Sequence, residues 1–294
     1  PDSVGAARFE MLILPDETAR LNALQTGAID ATFVNAEFID DASKIPDAVV
    51  DEKVGLRTIG ITFNPTMVEP WADARVREAA SLAVDRQAIV DNVMFGHGEA
   101  TEQMVLPGMP GYVDAGAPQY DVERAKQLLA DAGYPDGFTA SAVLTTSPSV
   151  QIAEAIQAQL ATVGIDVEIA PTPANGSSAY FYDQTEEGLF LPYSGSVDPL
   201  RMYDALYASD GTINPGGLSI DGMDELIAEA KTATDADQRA DLLEQMTQLL
   251  LDTPPTFVVL FKPGQALVSS PGVVGLQWYA GNGTINFARV GLAP

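Results

Sequence analysis

The sequence predicts an α/β fold in which two lobes are joined by a pair of crossing strands. Three observations lead there. Strand-like apolar runs alternate with helical patterns along most of the 294 residues. Helical stretches open on aspartates and close on glycines, so each element is short and well punctuated. The pattern breaks near residue 61 and again at Pro254-Pro255, with a strand-like run beside each break. A lobe entered and left by two strands is what a hinge-bending protein needs. The first lobe is therefore drawn over 1–61 with a return over 257–294, and the second over 62–256.

Taken in order, Phe9 to Leu14 reads as a buried strand. Asp16 is placed to cap a helix to Gln25, closed by Gly27 in the left-handed conformation. Ala31–Val34 and Val49–Val54 read as strands, with a short helix between, near Glu37 to Ser43. Thr58 to Phe63 alternates as a strand passing between lobes. Asp73 opens a helical pattern from Arg75 to Phe95, whose Val76, Ala79, Ala80 and Ala83 share a face. Arg77, Asp85 and Arg86 are expected to pair across a kink in it. Asp121 caps a helix to Ala132, stopped by Gly133. Phe138–Leu144 and Ile165–Ile169 read as strands around a helix opened by Ser147 or Ser149 and closed by Gly164. Leu189–Leu191 reads as a short strand before a loop from Tyr193 to Pro199. Asp221 is expected to cap a helix to Thr232, and Asp235 with Gln238 forms a capping box for the next. Phe257–Phe261 and Ala266–Ser269 read as two closing strands.

Composition narrows the function. Acidic residues number 41 against 15 basic, a formal net charge of −26. Nucleic-acid affinity comes mainly from Lys and Arg on phosphates, so a nucleic-acid partner is not expected. No apolar run approaches the ~20 residues of a membrane helix. The chain has no cysteine, which removes thiolate catalysis and Cys-based zinc sites. It starts Pro1-Asp2-Ser3 with no export segment to read, and this start reads as a cut in a longer protein.

The usual catalytic constellations are not met. A His-Glu-x-x-His site needs two histidines, and the chain has only His97. Set between glycines, His97 reads as a solvent-exposed turn residue. No Gly-x-Ser-x-Gly elbow supplies a serine nucleophile. Gly96-x-Gly98 lacks a third glycine and a preceding strand, so no dinucleotide cofactor is expected. Asp40-Asp41 and Glu186-Glu187 lack the spacing of a calcium loop and read as solvated surface. No catalytic residue, metal ligand or cofactor is assigned. A carboxylate-based hydrolase remains an alternative that counting cannot settle. Aromatic residues cluster at Tyr180, Phe181, Tyr182, Phe190 and Tyr193, which suits either a core or a small-molecule cleft. Tyr193-Ser194-Gly195-Ser196, small and polar after an apolar strand, is the better candidate site.

Several of these segments together resemble the solute-binding proteins of the dipeptide, oligopeptide and nickel importer type, family 5. RLNALQTGAID (20–30), ITFN (61–64) with WADARVREAASLAVDRQAIV (71–90), YDVERAKQLLADAGYPDGF (120–138) and IQAQLATVGIDV (156–167) fall in the family's order. Asp198-Pro199 follows them. The resemblance implies a type II periplasmic-binding-protein-like fold with lobe one incomplete. It implies capture of a small polar solute between lobes, a membrane permease of an ABC importer as partner, a monomer, and an extracytoplasmic location, with any lipid-anchoring cysteine upstream. A sensory or interaction module on the same fold is a further alternative. Peptide-binding members are similar in a Trp-x-x-Asp-Tyr-x-x-Pro loop whose aspartate pairs with the peptide amine. Here Pro192 and Gly195 stand at the tryptophan and aspartate positions, which leaves open another solute class or a peptide held differently. The resemblance implies Asn64, Tyr193, Ser194, Gly195, Ser196 and Asp198 as ligand-binding candidates, with Asp198 a loop-shaping residue first.

Overall fold

Aspartate caps set the frame. Asp16, Asp73, Asp121 and Asp235 each accept a backbone N–H in the first turn of a helix, at α1 (Glu17–Gln25), α3 (Ala74–Leu82), α5 (Val122–Asp131) and α10 (Ala236–Asp252). The computed structural model describes residues 8–144, 150–170, 176–278, 285–286 and 288–293. The expected helix opening at Ser147 or Ser149 lies outside them. Between α1 and α3 come β1 (Ala31–Asn35), the short α2 (Ile39–Ser43), β2 (Val49–Val54) and β3 (Arg57–Phe63). After α3 follow α4 (Arg86–Asn92), β4 (Gly98–Ala100) and, beyond α5, β5 (Phe138–Leu144), α6 (Val150–Ala161) and β6 (Ile165–Ala170). The single turn α7 (Gly176–Ser178) runs into a π-helical turn over Ala179–Asp183. β7 (Gly188–Ser194), α8 (Pro199–Tyr207), α9 (Met223–Thr232) and β8 (Val258–Ser269) complete the main elements.

One eight-stranded sheet carries them, in the order β1-β8-β3-β7-β5-β6, with β2 and β4 also paired to β8. β8 is its axis. Its first half lies against β3, with Ile61 opposite Val258, and its second half against β1 and β2, with Ala31 and Val49 both opposite Ser269. The change of partners falls around Lys262-Pro263-Gly264. The chain makes the reverse passage at Gly55-Leu56, between β2 and β3. Two cores cover the faces of the β3–β7 region: one built on Ile59, Ile61, Phe63, Trp71 and α3 to α6, the other on Tyr203, Tyr207, Met246, Phe257 and Val259. A smaller core joins α1 and α2 to Val34, Ala266 and Val268.

The sequence expectations need correction in several places. Phe9 to Leu14 is neither a strand nor buried: Met11 is 75% and Ile13 88% exposed. The two expected closing strands are one, since β8 runs straight through Pro263 and Gly264. The helix expected from Arg75 to Phe95 is two, because the Asp85 carboxylate accepts from Ala88 N and starts α4. Asp85 is thus committed, and Arg77 and Arg86 do not pair with it. Arg77 donates to the Trp71 and Ala72 carbonyls, and Arg86 pairs with Glu102 at 3.3 Å. Gly222, not Asp221, precedes α9, at φ 87°.

Candidate functional site

β7 begins as core and ends as loop. Leu189 and Phe190 are fully buried, while Tyr193 is half-buried. β3 pairs with β7 along its whole length, Arg57 opposite Ser194 through Phe63 opposite Gly188. β5 pairs with it only at Leu189 and Phe190. From Leu191 to Ser194, β7 therefore has one strand neighbour, β3, among the described residues.

The turn after Ser194 is tied down. Gly195 N donates to the Leu56 carbonyl at 3.1 Å. A Cβ at 195 would lie 2.6 Å from that oxygen and 3.3 Å from Met202 Sδ, so only glycine fits the approach. Ser196 N donates to Met202 Sδ at 3.3 Å, and the Ser196 hydroxyl accepts from Asp198 N at 3.2 Å. Asp198 caps α8 through Leu200 N at 3.2 Å and takes both its oxygens to Arg239 Nη2, at 3.1 and 3.0 Å. Its carboxylate is already engaged. Tyr193 packs on the second core, and burial raises its phenol above the ordinary value while the nearby Arg201 opposes the rise.

Asn64 stands apart from this group. It follows the far end of β3, while Tyr193 faces Thr58 near the start. Six residues of strand separate them, about 20 Å at the usual rise. Asn64 is fully buried, and its Oδ1 accepts from Thr66 N and Oγ1 at 3.0 and 2.7 Å. It shapes the turn into Pro65. The remaining five expected residues come together.

Of the aromatic cluster, Tyr180, Phe181 and Phe190 are core, and Tyr182 is 68% exposed. Tyr180 donates to Thr62 Oγ1 at 3.3 Å, inside the sheet packing.

Three basic groups near the crossing escaped the sequence. His97 is not a free turn residue. Its side chain is 17% exposed and sits between Glu52 Oε1 (3.0 Å from Nδ1) and Asp40 Oδ1 (3.3 Å from Nε2). It thereby joins β4's approach to β2 and α2. Glu187, expected as solvated surface, accepts from Ser141 N at 2.7 Å. Lys262 is fully buried in β8 and donates to the Gln103 carbonyl. Desolvation brings its ammonium down to about 7, against a smaller opposing effect of Glu99. Arg57 is half-buried, and desolvation lowers its pKa while Glu37 and Glu17 oppose the change. Nothing local marks these residues beyond the scarcity of cations. A cavity of about 200 Å³ lies elsewhere, between α3, Glu102, Gln119 and the end of α10, and holds the fully hydrogen-bonded Arg86. Among the described residues no group of three or more His, Asp or Glu is arranged to hold a metal ion.

This α/β sheet with its doubled crossing has the fold of periplasmic binding proteins. The family of bacterial extracellular solute-binding proteins, family 5 Middle, matches residues 2–213, and the chain belongs to it. It is 30% identical over 283 residues to heme-binding protein A of Haemophilus influenzae, covering 91% of this chain and 51% of that protein. The periplasmic binding protein DppA from Helicobacter pylori, solved with the peptide STSA, superposes with a TM-score of 0.81 at 25% identity, over 96% of this chain and 56% of that one. AgaA of A. tumefacien, solved with agropinic acid, gives 0.78 at 26% identity, over 95% and 59%. The chain thus spans about half the length of the curated relatives it matches.

Proposed function

We propose that this chain supplies one wall of the cleft of an extracytoplasmic solute-binding protein serving an ABC importer, and that its solute lies at the end of β7 and the loop Tyr193–Ser196. The change in β7 from core strand to small, polar loop carries the reading: past Phe190 it has only β3 as a strand neighbour among the described residues, and the half-buried Tyr193 with the Gly195–Ser196 turn offers a packing surface and hydrogen-bonding groups to a polar guest. The relatives bear names for different guests (heme, a peptide, an opine acid), so membership in the family leaves the guest to be decided by side chains. Gly55-Leu56 and Lys262-Pro263-Gly264 are then the two connectors between lobes, with 1–54 and the residues after Gly264 on one side.

Binding without turnover is the better reading. No Asp or Glu is buried among the described residues, and the resolved carboxylate shifts, at Asp73 and Asp224, are both downward through hydrogen bonds to Arg75 and Ser209. A hydrolytic acid needs a carboxyl held up. The test is a thermal-shift screen of the purified chain with peptide, sugar, opine and metal-chelate pools. A solute at a hundred times its Kd stabilises by ~2.7 kcal/mol, a rise of roughly 4–5 °C for a protein of this size. If no pool raises the melting temperature, the proposal fails.

A further inference from the structure

We propose that His97 is a protonation-dependent staple across the crossing. With both ring nitrogens protonated it ties the two sides of the connectors together through Glu52 and Asp40, and with one proton lost it releases one of them. This rests on the proposed connectors at Gly55-Leu56 and Lys262-Pro263-Gly264, and it names what fixes the angle between the parts they join.

His97 belongs to one side and its partners to the other. It follows α4 and leads into β4, where Gly98 stands opposite Pro263. Asp40 is on α2 and Glu52 on β2, both before Gly55. Among the described residues every other ion pair joins two residues on the same side of the connectors. The backbone around His97 is bonded to the connector itself. Gly264 N donates to the His97 carbonyl at 2.9 Å, and Val54 of β2 stands opposite Gly264. A Cβ at 264 would lie 3.0 Å from that carbonyl and 3.2 Å from Glu52 Oε1, so a side chain there would press on both partners.

The chemistry of the ring supplies the switch. Nδ1 lies 3.0 Å from Glu52 Oε1, and Nε2 lies 3.3 Å from Asp40 Oδ1. An ionised carboxylate only accepts, and a neutral imidazole carries a single N–H. The imidazolium alone donates to both, and its charge answers both anions. The neutral ring sets a lone pair against one carboxylate and opens that arm. The Glu52 arm is the stronger, being shorter and less exposed, at 38% for the Glu52 side chain against 65% for Asp40. Other charges on the surrounding elements are engaged elsewhere. Asp41 pairs with Lys44 on α2, Asp51 with Lys53 on β2, and Asp91 accepts from Gln87 on α4. On β8 Lys262 donates to the Gln103 carbonyl, with Glu99 of β4 opposite it.

His97 is the sole histidine and the chain has no cysteine, so both the ring and an inter-side distance can be read without background. Ring ¹⁵N signals give the protonation state across a pH series. Spin labels at Gln25→Cys on α1 and Glu154→Cys on α6, both exposed positions, give the distance between the sides. The distance distribution is expected to be narrow while the ring is doubly protonated. Once the ring is neutral, a second population of roughly a tenth or more is expected. His97→Phe keeps a ring without N–H groups and should show that second population at every pH. Glu52→Ala should reproduce most of it and Asp40→Ala less, with native circular dichroism showing each variant folded. Burial brings the Lys262 ammonium down to about 7, so the series is repeated in Lys262→Met, where the response must persist. Equal distributions for the two ring states, or a pH response kept in His97→Phe and lost in Lys262→Met, overturn the staple. Two glycines inserted after Gly55 test the premise. If they broaden the distribution and the ring state does not, the staple alone falls; if they also leave it unchanged, the division at the connectors falls.

Discussion

Replacing Lys262 by methionine should abolish most of this protein's stability change between neutral and mildly alkaline pH. Lys262 is fully buried, and its ammonium is brought from 10.5 to about 7 by loss of water. The unfolded chain therefore binds the proton more tightly than the folded one between those values. Stability must rise with pH across that window, and must be lost as pH falls towards the folded value. One pKa unit is ~1.4 kcal/mol, so the full displacement corresponds to ~5 kcal/mol, of which ~3 kcal/mol appears between about pH 7 and pH 9.5. Methionine keeps the length of the side chain and never ionises. It leaves the Gln103 carbonyl with the weaker donor Thr101 Oγ1 at 3.4 Å, at about 1 kcal/mol. Urea unfolding of both proteins at several pH values gives the comparison, and their difference cancels every other titrating group. Wild type should steepen through the window, with Lys262→Met near flat and the more stable of the two at about pH 6.5. Parallel curves would refute the argument and mean that water or a neighbouring acid reaches Nζ.

Three further outcomes follow from local geometry. Gly195→Ala puts a Cβ 2.6 Å from the Leu56 carbonyl; it should lower urea stability by about 1–3 kcal/mol and move the amide signals of both Leu56 and Ser196. Asp198→Ala removes the cap on Leu200 N and the half-exposed pair with Arg239; a loss of about 1–2 kcal/mol is expected, with the Arg239 share fading in high salt. Tyr180→Phe tests the alkaline limb. Burial raises the Tyr180 phenol well above its ordinary 10.0, so the unfolded state loses the proton first and stability falls as pH climbs past that value. The phenylalanine variant should lose about 1 kcal/mol at neutral pH and fall less steeply in alkali, as circular dichroism melts would show.

What the sequence made legible is what neighbouring residues decide among themselves. The caps at Asp16, Asp73, Asp121 and Asp235 fall where expected, since a side chain and the amides it accepts from are only a few residues apart. Gly27, Gly133 and Gly164 hold positive φ as expected, because only glycine takes that backbone cheaply. The misreadings came from distance. Lys262-Pro263-Gly264 has the composition of a turn, yet it is strand, because β3, β4, β1 and β2 supply partners from more than 150 residues away. Phe9 to Leu14 has the composition of a strand, yet Met11, Leu12 and Ile13 are exposed: local apolar character alone does not place a segment in a sheet. His97 has glycine neighbours and looked idle, while Glu52 and Asp40 reach it from another part of the sheet. The candidate loop was found because its residue types changed abruptly after an apolar strand.

The loop and the connector are mechanically one object. Gly195 N bonds to the carbonyl of Leu56, and Leu56 is itself the passage between β2 and β3. If Gly55-Leu56 is the inter-lobe connector proposed above, rotation about it turns that carbonyl, and the turn after Ser194 must follow or break the bond. Leu56 is buried, so its carbonyl cannot exchange this partner for water without loss. Following is the cheaper course. Position 195 is thus constrained twice, by the space a Cβ would need and by the need to keep its N–H on a moving carbonyl. That double constraint accounts for glycine at 195, since any side chain there would meet the Leu56 carbonyl and Met202 Sδ.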